Sequence, residues 1–301
     1  MNGLAQGPPV RARTDSAALA ALFAGAAAIA SSALFVKVSE AGPVSTAFWR
    51  VFLALPVLWA WAAWDARQRP HATTATDFRL LLLAGFCFAG DLAVWHWSIL
   101  LTSVANAVLL ANCAPIFVTL AAWLLYRRAP NARFIAGLAA ALSGMFLLLR
   151  GDFHSGGPAL LGDALGLVTA VFYAGYQITV SRARATLSTA RLMAVTGTVT
   201  VVILLPIALA SGEQFVPVSA YGWVLLLGLA LLSHAFGQSL IAYALAHLPG
   251  TFASVGLLLQ AVLAAALAWI LLGETLTPLA IAGGVLVLVG IRISHTAERA
   301  P

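Results

Sequence analysis

The sequence predicts an all-α polytopic membrane protein with ten transmembrane helices arranged as two inverted five-helix repeats. Three observations lead to this fold class: the composition, the number of long apolar runs and an internal repeat. Of the 301 residues, 62% are hydrophobic and only 9% are charged, and the mean hydropathy is +0.97. Soluble domains average about 25% charged residues. The composition therefore excludes an ordinary soluble enzyme, a secreted disulfide scaffold and a disordered regulator.

Ten runs of the sequence are apolar over about 20 residues, the length of α-helix that crosses a bilayer. Gly, Pro or charged residues mark the breaks between these runs, as expected for turns. Strands of a membrane barrel would instead alternate apolar and polar residues. The predicted spans are residues 17–37, 44–64, 79–99, 103–125, 132–149, 161–181, 191–210, 220–243, 250–271 and 277–294.

An alternative for the first span is a signal peptide with an A-x-A cleavage pattern at residues 28–30. We favour a membrane span because the apolar run continues past this pattern to Val38. The predicted organisation is an N-terminal tail (1–16), a first five-helix repeat (17–149), a linker (150–160), a second five-helix repeat (161–294) and a C-terminal tail (295–301).

The repeat is visible in the sequence, because residues 97–149 align with residues 243–295 without a gap at an offset of 146. Each half holds five spans, and an odd number makes the second half enter the membrane in the opposite sense. Inverted repeats of this kind are frequent in secondary transporters, whose substrate site lies near the midplane at the repeat interface. Gene duplication without transport is the alternative. The most informative aligned pairs are Trp123/Trp269, Gly137/Gly283 and Gly144/Gly290.

The basic residues predict the orientation. With the N-terminus in the cytoplasm, thirteen Arg residues lie in cytoplasmic loops and tails, against Lys37 and Arg150 on the other side. This asymmetry follows the positive-inside rule. The net charge of +6 is then explained by topology, and we expect no nucleic-acid partner.

Three segments carry a resemblance to a known family. These are Pro43–Arg50, which ends in Phe-Trp-Arg, the run from Gly90 to Phe117, and Leu272-Gly273-Glu274. In this order, they resemble three features of the EamA-type drug/metabolite transporter superfamily: the start of its second helix, its third and fourth helices, and its Leu-Gly-Glu signature. The first half departs from the pattern, with Tyr126-Arg127-Arg128 where a second Leu-Gly-Glu would stand.

The resemblance implies a ten-helix carrier of the bacterial inner membrane, with both termini cytoplasmic, that moves small metabolites without ATP. The direction is usually outward in this family. A channel or a lipid scrambler is an alternative. An intramembrane enzyme that uses Asp91 with His96 or His234 is a further one.

Two charged residues fall well inside predicted spans, Asp91 in the third and Arg50 in the second. A charge at the bilayer centre costs about 2.5–3.5 kcal/mol on insertion scales, so such residues usually face the bundle interior and serve a pathway or an ion pair. Asp91 is a candidate proton carrier or counter-ion for a cationic substrate; the alternative is a structural carboxylate satisfied by a neighbouring hydroxyl or by Arg50. Arg50 is either a site residue or an anchor that extends to the interface.

Uncharged polar residues extend this set. Singly, each is more often interhelical glue than a ligand contact, but the resemblance places their helices around a central cavity. His96, between two tryptophans, is expected at the interface. The candidate substrate or coupling residues are Asp91, Arg50, Asn106, Asn112, Tyr173, Tyr176, Gln177, His234, Gln238 and Gln260.

The sequence lacks a phosphate-binding loop, a metalloprotease His-Glu-x-x-His motif and a nucleophilic Gly-x-Ser-x-Gly motif. We therefore expect no enzymatic activity, no cofactor and no metal. The expected partners are a small-molecule substrate, protons as a candidate coupling ion, and the lipid bilayer. A homodimer is compatible with the sequence.

Overall fold

The computed structural model describes residues 16–68, 74–127, 129–149, 158–273 and 275–297. Within these ranges all regular secondary structure is helical, and ten helical segments are long and apolar enough to cross a membrane, which confirms the predicted fold class. The spans, numbered 1 to 10 along the chain, are Ser16–Lys37, Pro43–Gln68, Ala75–Leu101, Asn106–Leu125, Ala132–Leu149, Ala159–Ala183, Thr189–Ala210, Ala220–His247, Gly250–Leu271 and Pro278–Ala297. Glu274, Arg128 and Arg150, to which the sequence arguments refer, lie outside the described residues.

Four spans are interrupted. Span 1 comprises the helices Ser16–Ala30 and Ser32–Lys37, and span 2 comprises Pro43–Phe52 and Leu55–Gln68. The breaks in spans 4 and 9 lie at residues 112–113 and 257–258, which are equivalent positions in the two repeats to within one residue. Span 7, in contrast, continues as one helix through Pro206.

Spans 5 and 10 pack as antiparallel helices through contacts between glycines. A Cβ atom on Gly137 would lie 2.9 Å from the carbonyl oxygen of Gly290, and one on Gly283 would lie 2.6 Å from that of Gly144. The offset of 146 maps the first pair onto the second. The repeats are therefore related by a pseudo-twofold axis that passes between these two helices, as inverted topology requires.

The remaining contacts between the repeats obey the same symmetry. Spans 3 and 6 form an antiparallel pair in which a Cβ atom on Gly162 would lie 2.6 Å from the backbone nitrogen of Thr102. Spans 1 and 8 form the equivalent pair, where a Cβ atom on Gly25 would lie 3.0 Å from the carbonyl oxygen of Gly237. Each pair joins one repeat to the other, so the bundle centre lies at the repeat interface.

The bundle has two ends, a terminal face and a distal face. The terminal face holds the ends of spans 1 and 10, and Asn131 Nδ2 donates there to the carbonyl oxygen of Ala297 at 3.0 Å. The distal face is the opposite end and holds residues 38–42 and 211–219. On both faces a loop of one repeat is hydrogen-bonded to a helix start of the other.

On the distal face, two glutamates cross between the repeats. Glu40 Oε2 accepts hydrogen bonds from the backbone nitrogens of Val218 and Ser219, at 3.0 and 2.9 Å. Glu213 Oε2 accepts one from the backbone nitrogen of Val44 at 2.9 Å. We call these contacts, made by residues 40–44 and 213–219, the distal clasp. Hydrogen bonds from the hydroxyl and the backbone of Ser219 lower the pKa of Glu40, since they favour its anion.

The terminal face has one counterpart to the clasp. The Thr186 hydroxyl, in the loop before span 7, donates to Asp77 Oδ1 at 2.5 Å. Asp77 also closes a capping box with Thr74 at the start of span 3. The offset of 146 pairs Thr186 with Glu40, so the same loop of each repeat reaches the third helix of the other.

The glycine contacts lead to a test of the symmetric packing. In Gly283→Ala, the new Cβ atom would lie 2.4 Å from the Leu148 nitrogen and 2.6 Å from the Gly144 oxygen, so spans 5 and 10 must separate. We expect a loss of about 1–3 kcal/mol, as is typical of overpacking, measured as a lower midpoint of thermal unfolding in detergent. The matched control is Gly284→Ala, whose Cβ atom would meet only Val262 and Leu148 side chains at 3.4 and 4.0 Å. Equal midpoints for the two variants would contradict the packing described.

Candidate functional site

Five polar residues of four spans meet in the interior of the bundle. Arg50 of span 2 lies within electrostatic range of Asp91 of span 3 and of Tyr173 and Tyr176 of span 6. His234 of span 8 lies within the same range of Arg50. We call these five residues the central polar cluster. Spans 2 and 3 belong to the first repeat and spans 6 and 8 to the second, so the cluster is shared between the repeats.

A stack of rings places the cluster on the symmetry axis. The rings of Phe88 and His234 are 5.6 Å apart, those of Phe88 and Tyr176 are 4.8 Å apart, and those of Tyr173 and Tyr176 are 6.3 Å apart. Phe88 and His234 are equivalent under the offset of 146. Equivalent residues can touch only close to the axis that relates them, and in an inverted repeat this axis lies in the membrane plane. The cluster therefore lies near mid-depth.

The polar groups of the cluster are poorly satisfied by the protein. Arg50 is only 9% exposed, and its Nε atom has no hydrogen-bond partner. The Asp91 carboxylate lies within electrostatic range of Arg50 but has no hydrogen-bond partner among the residues that the structure describes. Neither ring nitrogen of His234, which is 1% exposed, has a partner. Because buried polar groups without partners cost free energy, such a set is typical of a ligand site more than of a structural core.

The charged residues of the cluster do not follow the symmetry that relates the two repeats. The residue equivalent to Arg50 is Thr196, whose hydroxyl donates to the carbonyl oxygen of Leu192 in its own helix at 2.7 Å. The residue equivalent to Asp91 is Gly237, where an added Cβ atom would lie 3.1 Å from the Cβ atom of Ala28. Glycine thus allows spans 1 and 8 to pack closely at this position. A symmetric framework thus carries a single charged site.

The helix that carries His234 is locally widened. Residues Leu229–Gln238 of span 8 form a π-helix, a rare conformation that occurs frequently at functional sites. His234 lies beside Gly197, where a Cβ atom would be 3.9 Å from Nε2 of the ring.

Two further predicted residues lie in the helices that carry Tyr176 and His234, closer to the terminal face. Gln177 follows Tyr176 and is buried, with neither amide atom hydrogen-bonded. Gln238 follows His234 by four residues and is buried, with Oε1 unpartnered. Both amides can therefore bond to a ligand.

Three predicted residues are not brought to the cluster by any recorded contact. Asn106 donates to Asp163 Oδ1 at 3.1 Å and to the Thr102 hydroxyl at 3.3 Å, so it ties the start of span 4 to spans 3 and 6. Asn112 donates to the carbonyl oxygen of Val108 in its own helix at 2.8 Å. Gln260 is half-buried in span 9; its backbone nitrogen donates to the carbonyl oxygen of Leu257 at 3.1 Å, and its side chain forms no hydrogen bond with a described residue.

His96 differs from its predicted position at the interface. It is buried, its Nδ1 atom is hydrogen-bonded to the carbonyl oxygen of Leu92, and it interacts electrostatically with Arg50. Sequence reasoning also missed Phe88 as part of the site, although its equivalence to His234 was a usable signal. Among the described residues, no group of three or more His, Cys, Asp or Glu side chains is placed to hold a metal ion.

Known proteins resemble this chain along most of its length. The chain is 27% identical over 272 residues to an uncharacterized transporter of Archaeoglobus fulgidus, covering 88% of this chain and 92% of that protein. It is 28% identical over 232 residues to the pseudopaline exporter CntI of Pseudomonas aeruginosa, covering 76% and 80% of the two chains. A solved crystal structure has the same fold, with a TM-score of 0.81 and 16% identity over 94% of this chain and 98% of that one.

The model of the EamA-like transporter family matches the chain twice, at residues 16–150 and 160–296. The first range contains spans 1 to 5, and the second covers spans 6 to 10 except for one residue at each end. Each five-span repeat thus carries its own match to the same family model, and the chain belongs to the EamA-like transporter family.

Proposed function

We propose that the protein is a secondary transporter that exports a small metabolite across the bacterial inner membrane by alternating access. The observation that carries this proposal is the central polar cluster, in which the oppositely charged Arg50 and Asp91 lie at the interface of two inverted repeats and Arg50 Nε has no hydrogen-bond partner. Inverted-repeat transporters bind substrate near the midplane at this interface and expose it to each side in turn.

The chemistry of the cluster favours a substrate that carries charge of both signs. A carboxylate could bind the Arg50 guanidinium, and an ammonium group could bind the Asp91 carboxylate, each by a charge-assisted hydrogen bond. The stacked rings of Phe88, Tyr176 and Tyr173 supply an apolar wall for the rest of the molecule. An amino acid, or a metabolite or drug-like compound with the same groups, fits this description.

The name of a relative supports the outward direction, since CntI of Pseudomonas aeruginosa is named as a pseudopaline exporter. Pseudopaline is therefore one compound to include in a substrate screen. The screen compares metabolites released by cells with and without the protein, and each hit is then measured as flux into proteoliposomes.

Flux in proteoliposomes also separates the alternatives. A carrier accumulates substrate against its gradient when a proton gradient is imposed, and it shows counterflow. A channel or a scrambler equilibrates its solute or lipid and does neither. An intramembrane enzyme would return a chemically altered compound, which mass spectrometry of the recovered substrate detects.

The first prediction concerns orientation. Ala129, in the Arg-rich loop between spans 4 and 5, should face the cytoplasm because of the positive-inside bias. Val218, which is 80% exposed on the distal face, should face the other side. In a cysteine-free background, an impermeant maleimide added to intact cells should label Val218→Cys and not Ala129→Cys. The opposite pattern would reverse the proposed direction of insertion.

The second prediction concerns Arg50. Arg50→Ala should weaken substrate affinity at least about tenfold, because hydrogen bonds to a charged group contribute about 1.5–3 kcal/mol. Arg50→Lys, which keeps the charge but not the planar guanidinium, should retain part of this affinity. The measurement is the concentration dependence of counterflow at equal amounts of reconstituted protein. Unchanged affinity in Arg50→Ala, with only poorer insertion, would make Arg50 a structural anchor.

The third prediction concerns Asp91. Asp91→Asn has nearly the same volume as the protonated acid and cannot ionise. If Asp91 carries a coupling proton, the variant should retain substrate exchange and lose accumulation driven by a pH gradient. If Asp91 is a counter-ion for the substrate, affinity should fall instead.

Asp163→Asn is the matched control for Asp91→Asn. Asp163 is a carboxylate already hydrogen-bonded to Thr102 and Asn106, so its loss should affect stability but not coupling. Wild-type gradient-driven flux and wild-type affinity in Asp91→Asn would remove Asp91 from the mechanism.

A further inference from the structure

The distal clasp joins the two repeats at the ends of helices that carry the central polar cluster. Glu213 of the second repeat holds the first turn of span 2, in which Arg50 follows. Glu40 of the first repeat holds Ser219, the N-cap residue of span 8, in which His234 follows. Each helix start is thus held by a carboxylate of the other repeat.

We propose that the distal clasp is a gate, which closes the distal end of the bundle and must release for the central polar cluster to open toward that side. The proposal rests on the alternating access proposed above. It assigns a role to Glu40 and Glu213, which lie outside the central cluster.

The clasp is built for a close polar contact. A Cβ atom on Gly42 would lie 2.4 Å from Glu213 Oε2, and one on Gly222 would lie 2.4 Å from Glu40 Oε2. Only glycine leaves the space that each carboxylate occupies. In addition, the backbone nitrogen of Gly42 donates to the carbonyl oxygen of Gln214 at 2.9 Å. The negative charge of each carboxylate is also stabilised by the positive end of the helix dipole beside it, which strengthens both contacts.

The clasp is at the same time easy to release. Its bonds lie at the end of the bundle, where water can replace each partner, and a hydrogen bond exchanged for one to water changes little free energy. Aromatic residues pack next to it: Trp49 Nε1 donates to the carbonyl oxygen of Phe215 at 2.7 Å, and the rings of Trp49 and Trp223 are 4.9 Å apart. These contacts also join the two repeats, so they close the same end.

The terminal face supports the assignment. Thr186, the repeat equivalent of Glu40, holds Asp77 at the start of span 3, which carries Asp91. Among the described residues, both ends of the bundle thus have a contact of this type, the distal end from Glu40 and Glu213 and the terminal end from Thr186. An alternating carrier needs a separable contact at each end.

The competing explanation is that Glu40 and Glu213 are permanent helix caps. To separate the two, Cys87 and Cys113 are replaced by Ala, and Ser45→Cys is introduced as a reporter. Ser45 is fully buried in span 2, next to Val44, and its hydroxyl has no partner. A maleimide can therefore reach this position only when the structure opens. The assay uses purified protein in detergent, so it depends neither on orientation nor on transport.

The expected result is that Glu40→Gln and Glu213→Gln each raise the rate of Ser45→Cys labelling at least about fivefold, since each weakens a charge-assisted contact. Two controls detect general loosening. Ser294→Cys reports on an equally buried position in the rigid pair of spans 5 and 10, and its labelling should not change. Ser188→Ala removes a helix cap on the terminal face, and it should not raise labelling of Ser45→Cys.

A second experiment locks the clasp. The Ser219 hydroxyl donates to Glu40 Oε1, so Glu40→Cys with Ser219→Cys is suited to cross-linking by a short thiol reagent. The cross-linked protein should lose transport and regain it on reduction, whereas transport by each single-cysteine variant should be the same with and without the reagent.

Unchanged Ser45→Cys labelling in both glutamine variants, or full transport in the cross-linked protein, would overturn the gate. Equal acceleration at Ser294→Cys would do the same, because it would indicate partial unfolding. Absence of any flux from the unmodified protein would instead contradict the proposed transport function, and the labelling experiment would still decide whether the clasp opens.

Discussion

The close contact of spans 5 and 10 is the constraint on which the rest of the structure depends. With glycine at residues 137, 144, 283 and 290, the two backbones approach until carbonyl oxygens lie where side chains would normally start. In a bilayer, where lipid chains are as apolar as the side chains, this close packing is one of the few forces that hold helices together. Because the contacts occur in equivalent pairs, they also define the twofold axis between the repeats.

The axis explains where polar groups can be placed. Residues near it contact both repeats, and the ring of Phe88 there meets its own equivalent, His234. Arg50 and Asp91 reach this centre from the first repeat alone. The equivalent positions of the second repeat hold Thr196, whose hydroxyl bonds within its own helix, and Gly237, which has no side chain. A pair of charged sites would double the cost of inserting charge into the membrane. One charged site on a symmetric framework avoids this second cost.

Much of this arrangement could be predicted from the sequence, because the bilayer imposes strong rules. Length and hydropathy identify ten spans, the offset of 146 identifies the repeat, and the cost of charge in lipid singles out Arg50 and Asp91. The family resemblance, carried by short motifs, is confirmed by the match to the family model over both repeats.

What the sequence could not provide is which polar partners meet. Asn106 satisfies Asp163 in the structure, a contact between residues 57 positions apart that no periodicity indicates. His96 stands between two tryptophans, a composition typical of the interface, yet its helix turns the ring inward. The clasp was not predicted either, since Glu40 and Glu213 lie in short loops that have no pattern and are brought together only by the packing of both repeats.

The position of Phe88 and His234 on the axis has a mechanical consequence. When two rigid bodies rock about a common axis, the displacement of each atom grows with its distance from that axis. The stacked rings would therefore move least during a conformational change, while the ends of spans 2 and 8 would sweep the longest arcs. A solute held beside the rings would remain almost stationary. The two repeats would move around this solute and thereby change the side of the membrane from which the solute is accessible.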